Sequence, residues 1–291
     1  MIVIDLSQTL YASILAYDVK HPDKIDINIF RHICLTAIYN ILMKFKYSEY
    51  GPDVVIACDM KSNWRKELFS YYKYNRKKSR SDSDIDWEVV FNNFETIKEE
   101  LKEYFTQYKV IEVERAEADD VIYVTTKYCY ERNIPLMIIS SDKDLVQLHR
   151  YPNVKQFDSI RKIYKEIDDP VKFLDYQIFK GDNSDGIPNV LSPENSYYIG
   201  QRCKSLYESK IEKWLEDPMF KFNPEGVLGE EVYKRYEKNK KLIDLTCLPK
   251  DIYDNIYKEL EKGFDTRDSN KLLNYFCDKK LTNLMQHIQD F

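Results

Sequence analysis

Five acidic clusters follow apolar, strand-like runs along this 291-residue chain, and together they supply nine carboxylates. Because the carboxyl ends of the strands in an open α/β sheet meet at one crevice, we expect these side chains to converge. So many like charges would repel one another unless divalent cations neutralised them, and oxygen-only donors suit Mg²⁺, with Mn²⁺ as a substitute. The pattern predicts phosphoryl transfer at two Mg²⁺ ions. The predicted ligands are Asp5, Asp59, Glu117, Asp119, Asp120, Asp142, Asp144, Asp182 and Asp185.

The spacing within each cluster indicates how its carboxylates reach one site. Glu117, Asp119 and Asp120 can share a direction only if a helix begins at this point, since i and i+2 positions lie far apart around a helix. The i,i+2 pair Asp142 and Asp144 would share a side in extended chain, whereas an i,i+3 pair such as Asp182 and Asp185 would share a helical face. Any one of these acids alone would more often be a helix or turn cap.

Two basic stretches predict contact with a polyanion. Residues 61–80 contain eight Lys or Arg against a single Glu, with tyrosines interleaved, and residues 234–241 read KRYEKNKK. Cations bind phosphates, and aromatic rings stack on unpaired bases. The predicted nucleic-acid-binding residues are Arg65, Tyr72, Lys73, Arg76, Lys77, Lys78, Lys234, Arg235, Lys238, Lys240 and Lys241.

Composition excludes several classes of protein. A charged fraction of 32% and an apolar fraction of 43% are typical of a globular protein, although the net charge of −5 is unusual for a nucleic-acid binder. The six cysteines show no metal-binding spacing and are expected to be buried reduced thiols, and no apolar run is long enough to span a membrane. A reducing cytoplasm is therefore the expected location, and the chain is also expected to be a monomer.

The alternation of apolar runs and amphipathic stretches predicts the fold. Strands near 2–6, 54–59, 109–114 and 135–141 alternate with helices, which favours an α/β class with a mostly parallel central sheet and helices on both faces. The pattern after about residue 168 is almost wholly helical. We therefore expect an α/β domain over 1–180, with a basic region at about 61–105, and a smaller helical domain over 181–291.

The motifs resemble those of a known family when they are taken in order. VIDLSQ, VVIACD, YYKYNR, EADD, SSDKD and GDNSDGIP are similar, in sequence and spacing, to those of the flap endonuclease (5′-nuclease) superfamily, above all its branch in T-even-type bacteriophages. The resemblance runs over nearly the whole chain and implies a PIN-like fold, in which the basic region at about 61–105 would form an arch and the helical domain over 181–291 would bind DNA. The expected location is the host cytoplasm if the chain is phage-encoded. One segment departs from the pattern: residues 186–201 lack the glycine-rich helix-hairpin-helix core that grips duplex DNA and a monovalent cation in many members.

The resemblance also implies an activity and a role for each residue. The activity would be 5′→3′ exonuclease, ribonuclease H and flap endonuclease cleavage, which removes RNA primers and adjacent DNA during lagging-strand replication. The expected substrates are RNA–DNA hybrids and forked or flap DNA, and the expected partners are a single-stranded-DNA-binding protein and a sliding clamp. Lys73 and Arg76 would act as catalytic cations, with Tyr72 as a stacking ring. The first metal would take Asp5, Asp59, Glu117, Asp119 and Asp142, and the second Asp144, Asp182 and Asp185, with Asp120 in support.

Two other functions are compatible with parts of the pattern. A haloacid-dehalogenase-type phosphatase also has an Asp at the end of its first strand, but it needs a second acid two residues later, where this chain has Ser7. A non-catalytic protein that binds forked DNA would be expected to have lost some of the nine carboxylates, and all nine are present.

Overall fold

The structure is a computed structural model that describes all 291 residues. The residues form two compact units, each made from separate stretches of the chain. Unit 1 comprises residues 1–62, 85–167 and 250–291, and unit 2 comprises residues 63–84 and 168–249.

Unit 1 contains a six-stranded sheet in the order β3-β2-β1-β4-β5-β6. The first five strands in this order are parallel, and only β6 runs antiparallel to its neighbour β5. This confirms the predicted fold class, and the last two strands form a hairpin at the sheet edge. The strands are β1 (Ile2–Asp5), β2 (Val54–Ala57), β3 (Tyr108–Ile111), β4 (Leu136–Ile139), β5 (Val154–Asp158) and β6 (Ile163–Lys165).

Thirteen α-helices complete the fold, and several begin at an Asp or Asn whose side chain accepts a backbone N–H of the first turn. In chain order they are α1 (Leu6–Tyr17), α2 (Ile27–Phe45), α3 (Trp64–Leu68), α4 (Tyr74–Ser81), α5 (Trp87–Tyr104), α6 (Ala118–Glu131), α7 (Pro170–Lys180), α8 (Glu208–Glu216), α9 (Pro224–Leu228), α10 (Glu230–Ile243), α11 (Lys250–Glu261), α12 (Ser269–Asp278) and α13 (Thr282–Met285).

The sheet of unit 1 is buried on both faces, which explains why its strands are continuous apolar runs. On one face, Ile2, Ile4 and Ile56 pack with side chains from α1, α2, α5 and α12. On the other face, α6 lies against β1, β2 and β4, and α11 packs beside α6. Helices on both faces leave the carboxyl edge of the parallel strands as the place where polar loops gather.

Unit 2 is helical and contains α3, α4 and α7–α10. Its core joins Phe69 and Tyr72 to apolar side chains of α7 and α10. The division between units differs from the domain boundary expected at residue 180. The basic segment 63–84 belongs to the helical unit, and α11–α13 belong to the sheet unit, because Leu272, Tyr275 and Phe276 pack into the core of the sheet unit.

Two further features bear on the sequence analysis. No helix has the length and the apolar character needed to cross a lipid bilayer. All six cysteines are free thiols, of which Cys34, Cys58 and Cys129 are buried and Cys277 is exposed, so burial was predicted correctly for only part of the set.

Candidate metal and nucleic-acid site

Asp5 lies at the centre of the acidic edge of unit 1. It is the last residue of β1, the strand between β2 and β4, and its side chain is buried. Its Oδ1 accepts the N–H of Gln8 at 3.1 Å and caps α1, while its Oδ2 accepts the hydroxyl of Ser140 at 3.1 Å. The carboxylate of Asp5 thus caps α1, as a lone acid at this position commonly would, and it also contacts the loop after β4.

The environment of Asp5 disfavours its negative charge. Burial, followed by the negative charges of Asp59 and Asp142, raises the pKa of Asp5 to about 7, although hydrogen bonds from Gln8 and Ser140 act in the opposite direction. Asp59 follows β2 and Asp142 follows β4, so the three acids come from the ends of adjacent parallel strands. Within unit 1, the carboxylates of Asp59 and Asp142 are therefore close enough to Asp5 to raise its pKa.

We expect Asp5→Asn to stabilise the metal-free protein at pH 8. The pKa of Asp5 is about 7 in the folded protein against 3.8 for the ordinary carboxyl, so the folded form binds more protons between these values. Stability therefore falls as the pH rises from about 4 to about 7 and stays low above that range. In EDTA, urea unfolding should give the variant an advantage of roughly 2–4 kcal/mol at pH 8 and little advantage at pH 4.

The control for this variant is Asp26→Asn, in which an exposed cap of α2 changes in the same way. It should show no gain at pH 8. A variant at Asp5 that is no more stable than the parent protein at pH 8 would contradict the electrostatic account of this edge.

The acidic cluster before α6 lies beside Asp59. Helix α6 begins at Ala118, as required for Glu117, Asp119 and Asp120 to share a direction, and the N–H of Ala118 donates to Asp59 Oδ1 at 3.0 Å. Asp120 is fully buried and its Oδ2 accepts the N–H of Glu117 at 2.9 Å in a capping box. Asp120 therefore holds the start of α6, and its supporting role at a metal site stays a prediction.

The loop after β4 places Asp142 and Asp144 differently from the extended geometry that their spacing predicts. Asp144 is the first residue of a 3-10 helix, Asp144–Arg150, and its N–H donates to Asp142 Oδ1 at 2.8 Å. The prediction that Asp142 and Asp144 lie in extended chain is therefore wrong, because the chain turns soon after it leaves β4. Lys165 of β6 donates to the carbonyl of Ser141 at 2.5 Å and holds this loop from the other side.

The donor chemistry of this edge fits a hard divalent cation. The predicted ligands in unit 1 are all carboxylates, and the pKa of Asp5 is raised first by burial and then by the negative charges of Asp59 and Asp142, which a cation would offset. No three Asp, Glu, His or Cys side chains are arranged in the structure as they would be around an ion. Several of these carboxylates instead accept backbone N–H groups, as described for Asp5, Asp59 and Asp142. The composition of the ligand set stays a prediction.

Unit 2 carries the other two predicted ligands on a turn. Asp182 and Asp185 lie in a loop closed by pairing of Asp182 with Ile187, so the predicted helical arrangement of the pair is wrong. Asp182 Oδ1 accepts the N–H and the hydroxyl of Ser184 at 2.7 and 2.6 Å. At Gly181 the φ angle is +69°, and a Cβ would lie 2.3 Å from the carbonyl oxygen of Ile187. Only glycine therefore fits the entry to this loop.

The start of α4 is fastened to the same loop. Arg76 Nη2 lies 2.6 Å from Asp185 Oδ1, and the N–H of Lys73 donates to the carbonyl of Asp185 at 2.7 Å. A side chain at position 186 would place its Cβ 3.1 Å from the carbonyl oxygen of Tyr71. Gly186 therefore permits the close approach of the loop to the residues before α4. Within unit 2, both Lys73 and Arg76 are therefore anchored at Asp185.

Two predicted nucleic-acid contacts are buried in the structure, and a third is partly buried. The guanidinium of Arg65 lies inside unit 2, where Nε donates to the carbonyl of Leu242 at 3.0 Å. The ring of Tyr72 is only 5% exposed and its hydroxyl donates to Asp185 Oδ2 at 2.9 Å. The side chain of Lys238 is 13% exposed and its Nζ lies 2.7 Å from Glu194 Oε1. The structure contradicts direct contact of Arg65 or Tyr72 with a nucleic acid, and Lys238 has its own partner.

The other predicted contacts in α4 and α10 range from exposed to partly buried. Lys77 and Lys78 lie on the exposed part of α4, and Lys241 is exposed near the end of α10. Lys234 and Arg235 pair with Glu230 and Glu231 one turn earlier in α10. Exposed i,i+4 pairs contribute little to stability, so these two cations can exchange their partners for phosphates at small cost. Lys240 is partly buried on the same helix.

The sequence analysis missed two kinds of residue. Ser140 joins Asp5 to the next loop, since its Oγ donates to Asp5 and accepts the N–H of Asp142 at 3.1 Å. Tyr198 is 49% exposed, and its ring centroid lies 4.9 Å from that of Tyr71 and 4.8 Å from that of Tyr74. The doublet at 197–198 was visible in the sequence, but its exposure depends on the turn over 194–200.

Comparison with known proteins identifies the family to which these features belong. Residues 1–175 match the family model of the 5′-3′ exonuclease N-terminal resolvase-like domain. Residues 169–291 match the model of the C-terminal domain of T4 RNase H. The chain belongs to the 5′-3′ exonuclease family. The two matches meet near the boundary expected at residue 180, although the compact units of the nuclease interleave along the chain.

Relatives of this nuclease include phage and bacterial enzymes. Ribonuclease H of Enterobacteria phage T4 is 33% identical over 297 residues, which cover 99% of this chain and 95% of that protein. Flap endonuclease Xni of Shewanella halifaxensis is 27% identical over 195 residues, which cover 63% of this chain and 68% of that protein. Both relatives are nucleases, so this chain is a hydrolase of phosphodiester bonds and the phosphatase and non-catalytic alternatives are set aside.

A solved structure supports the fold. The flap endonuclease of bacteriophage T5, determined as a pseudo-enzyme–product complex with DNA and metal ions, superposes with a TM-score of 0.60 at 17% identity and covers 90% of this chain and 97% of that one. At this identity the likeness establishes the fold and no more.

Proposed function

We propose that this nuclease is a Mg²⁺-dependent 5′→3′ exonuclease with ribonuclease H and flap endonuclease activity, which removes RNA primers and adjacent DNA from the lagging strand. The observation that carries the proposal is the position of Asp5, Asp59 and Asp142 at the ends of adjacent strands, with the pKa of Asp5 raised by burial and by the other two charges. The likeness to a ribonuclease H over almost the full chain supports the choice of RNA–DNA hybrids as substrates, beside forked and flap DNA.

The proposed ligands follow the prediction from the sequence. Asp5, Asp59, Glu117, Asp119 and Asp142 would hold one Mg²⁺; Asp144, Asp182 and Asp185 would hold another, with Asp120 fixing the start of α6. Bound divalent ions supply a water of lowered pKa and positive charge for the phosphate. Lys73 and Arg76 would stabilise negative charge on the phosphate oxygens as it grows.

The proposal predicts an absolute requirement for a divalent cation. The purified protein should cleave a 5′-labelled RNA–DNA hybrid and a 5′-flap DNA in Mg²⁺ or Mn²⁺ and should lose both activities in EDTA. The physical reason is that carboxylates left without a cation repel the phosphate they must approach. Gel analysis of the labelled products measures cleavage. Cleavage that persists undiminished in EDTA would overturn the two-metal proposal, and the ratio of the two rates in Mg²⁺ would set the substrate preference.

We propose Tyr198 as the stacking ring in place of the buried Tyr72. Tyr198 is half exposed between Tyr71 and Tyr74, and Tyr74 opens α4 one turn before the exposed Lys77 and Lys78. An aromatic surface beside cations is the combination that binds unpaired strands. The neighbouring acid Glu194 is paired with Lys238. An unpaired 5′ strand is therefore the partner that this surface suits.

Tyr198→Ala should weaken binding of a 5′-flap DNA in EDTA by about 1–3 kcal/mol, the usual contribution of one stacked base. Fluorescence of 2-aminopurine in the unpaired strand reports stacking directly and should be less quenched in the variant. Tyr198→Phe should keep the parent affinity because the ring remains. The control is Tyr207→Ala, a 72% exposed tyrosine nine residues further along the chain. Equal losses at both positions, or none at Tyr198, would contradict this assignment.

A further inference from the structure

Gln156 of β5 fastens the loop that carries Asp142 and Asp144. Its side chain is fully buried, and its Nε2 donates to two carbonyls, those of Ser140 at 2.9 Å and Asp142 at 2.7 Å. Its Oε1 lies 3.2 Å from His149 Nε2. A primary amide has two N–H donors, and both are used here on the backbone of one acidic loop.

The loop after β4 depends on such contacts because it has no regular structure of its own. Residues 140–143 belong to neither a strand nor a helix, so their carbonyls lack ladder partners. Side chains supply the partners instead: Gln156 contacts the carbonyls of Ser140 and Asp142, and Lys165 contacts the carbonyl between them. The path of the backbone that carries the Asp142 carboxylate therefore depends on Gln156.

Asn239 of α10 does the same for the acidic loop of unit 2. Its side chain is 1% exposed, and its Nδ2 donates to the carbonyls of Ile178 at 3.1 Å and Pro188 at 2.9 Å. These two carbonyls lie before and after the loop that carries Asp182 and Asp185. One buried amide thus joins the two ends of the loop, as Gln156 does at residues 140 and 142.

We infer that Gln156 and Asn239 are positioning residues that set how strongly the two acidic loops bind a divalent cation. This inference rests on the proposed function, since it concerns the ligands proposed above. Neither amide needs to touch the substrate. Each acts through the backbone, and partners of this outer kind typically change metal affinity by about 10–100-fold when they are lost.

The test replaces each amide by a group of similar shape without its donors. Gln156→Glu and Asn239→Asp set a carboxylate against the same carbonyls, whereas Gln156→Met and Asn239→Leu remove the donors without adding a charge. We expect the Mg²⁺ concentration for half-maximal cleavage to rise by about 10–100-fold, with most of the rate recovered at saturating Mg²⁺. The Mn²⁺ concentration at the midpoint of the cation-induced rise in Tm should move equally, which gives a readout independent of cleavage.

A matched control separates positioning from general stability. Asn153 also donates to a backbone carbonyl, that of Ile134 at 2.8 Å, but it precedes β5 and so lies at the opposite edge of the sheet. Asn153→Ala should lower the Tm without moving either cation midpoint. Variants of Gln156 and Asn239 that behave like this control would overturn the inference. If the parent protein itself showed no divalent-cation requirement, the proposed function would fail instead.

Discussion

Asp142→Asn should lower the rate of cleavage by several orders of magnitude, whereas a forked substrate should still bind. An amide is a poorer ligand than a carboxylate for a hard cation, and it carries no charge to hold one. Asn retains the Oδ1 that accepts the N–H of Asp144, so the loop keeps its turn. Loss of a negative charge near phosphates does not weaken substrate binding by itself. Asp119→Asn, in the first turn of α6, should behave in the same way.

Single-turnover cleavage and equilibrium binding on the same 5′-labelled fork would measure the two effects separately. Asp26→Asn is a close control, because Asp26 Oδ1 accepts the N–H of Asn28 at 2.8 Å, the same contact over the same spacing as at Asp142. The control should cleave at the parent rate. Near-parental cleavage by Asp142→Asn and Asp119→Asn would show that the SSDKD and EADD motifs have been given the wrong role.

The acidic edge of the sheet could be predicted because short, contiguous stretches of sequence specify it. A short run of Val and Ile followed by an acid specifies both a buried parallel strand and the residue at its carboxyl end. The start of α6 was equally readable, since Glu117 and Asp120 form a capping box within four residues. At these places the local pattern and the fold agree, and one acid serves as a cap and as a candidate ligand together.

Burial of polar side chains was not open to prediction because it depends on distant partners. Arg65 looks like a surface cation in its own segment, but the carbonyl that accepts from its Nε belongs to Leu242, at the end of α10. Tyr72 likewise joins a core built with α7 and α10. A local pattern of Lys, Arg and Tyr predicts a nucleic-acid surface without indicating which members of the pattern face solvent.

The division of the chain into units escaped prediction for a related reason. Helices α11 and α12 have one strongly apolar face each, which requires a partner but does not name one. The partners come from unit 1: α11 packs on α6, and Glu100 of α5 accepts hydrogen bonds from Tyr275 at 2.8 Å and Arg31 at 2.7 Å. A buried, bidentate ion pair that also holds a tyrosine hydroxyl fixes α12 to the sheet unit.

Lys73→Ala should slow the chemical step on saturating substrate by about 3–4 kcal/mol of transition-state stabilisation, or roughly 10²–10³ in rate. The backbone N–H of Lys73 holds the carbonyl of Asp185 whatever the side chain is, so the variant should keep the loop in place. The φ angle of +57° at this residue is as unfavourable for Ala as for Lys. What the variant loses is the ammonium group, whose Nζ lies 5.1 Å from the centroid of the Tyr72 ring.

The basic residues of α10 should respond differently because they lie in another element of unit 2. Lys234→Ala and Lys241→Ala should leave the single-turnover rate unchanged, weaken binding and reduce the log–log salt dependence of affinity by about 0.9 for each lost contact with a duplex phosphate. Their charges are exposed, and the pair of Lys234 with Glu230 is too weak to compete with a phosphate.

Single-turnover rates and salt-titrated binding on the same forked DNA would distinguish a catalytic cation from a tether. If Lys73 acts on the phosphate under attack, its loss must appear in the rate at saturation, since the charge it stabilises grows only in the transition state. If Lys73→Ala instead changes affinity and salt dependence as the α10 variants do, Lys73 serves as a distant tether. The structure would then assign the catalytic cation of this loop to Arg76, whose guanidinium already contacts Asp185.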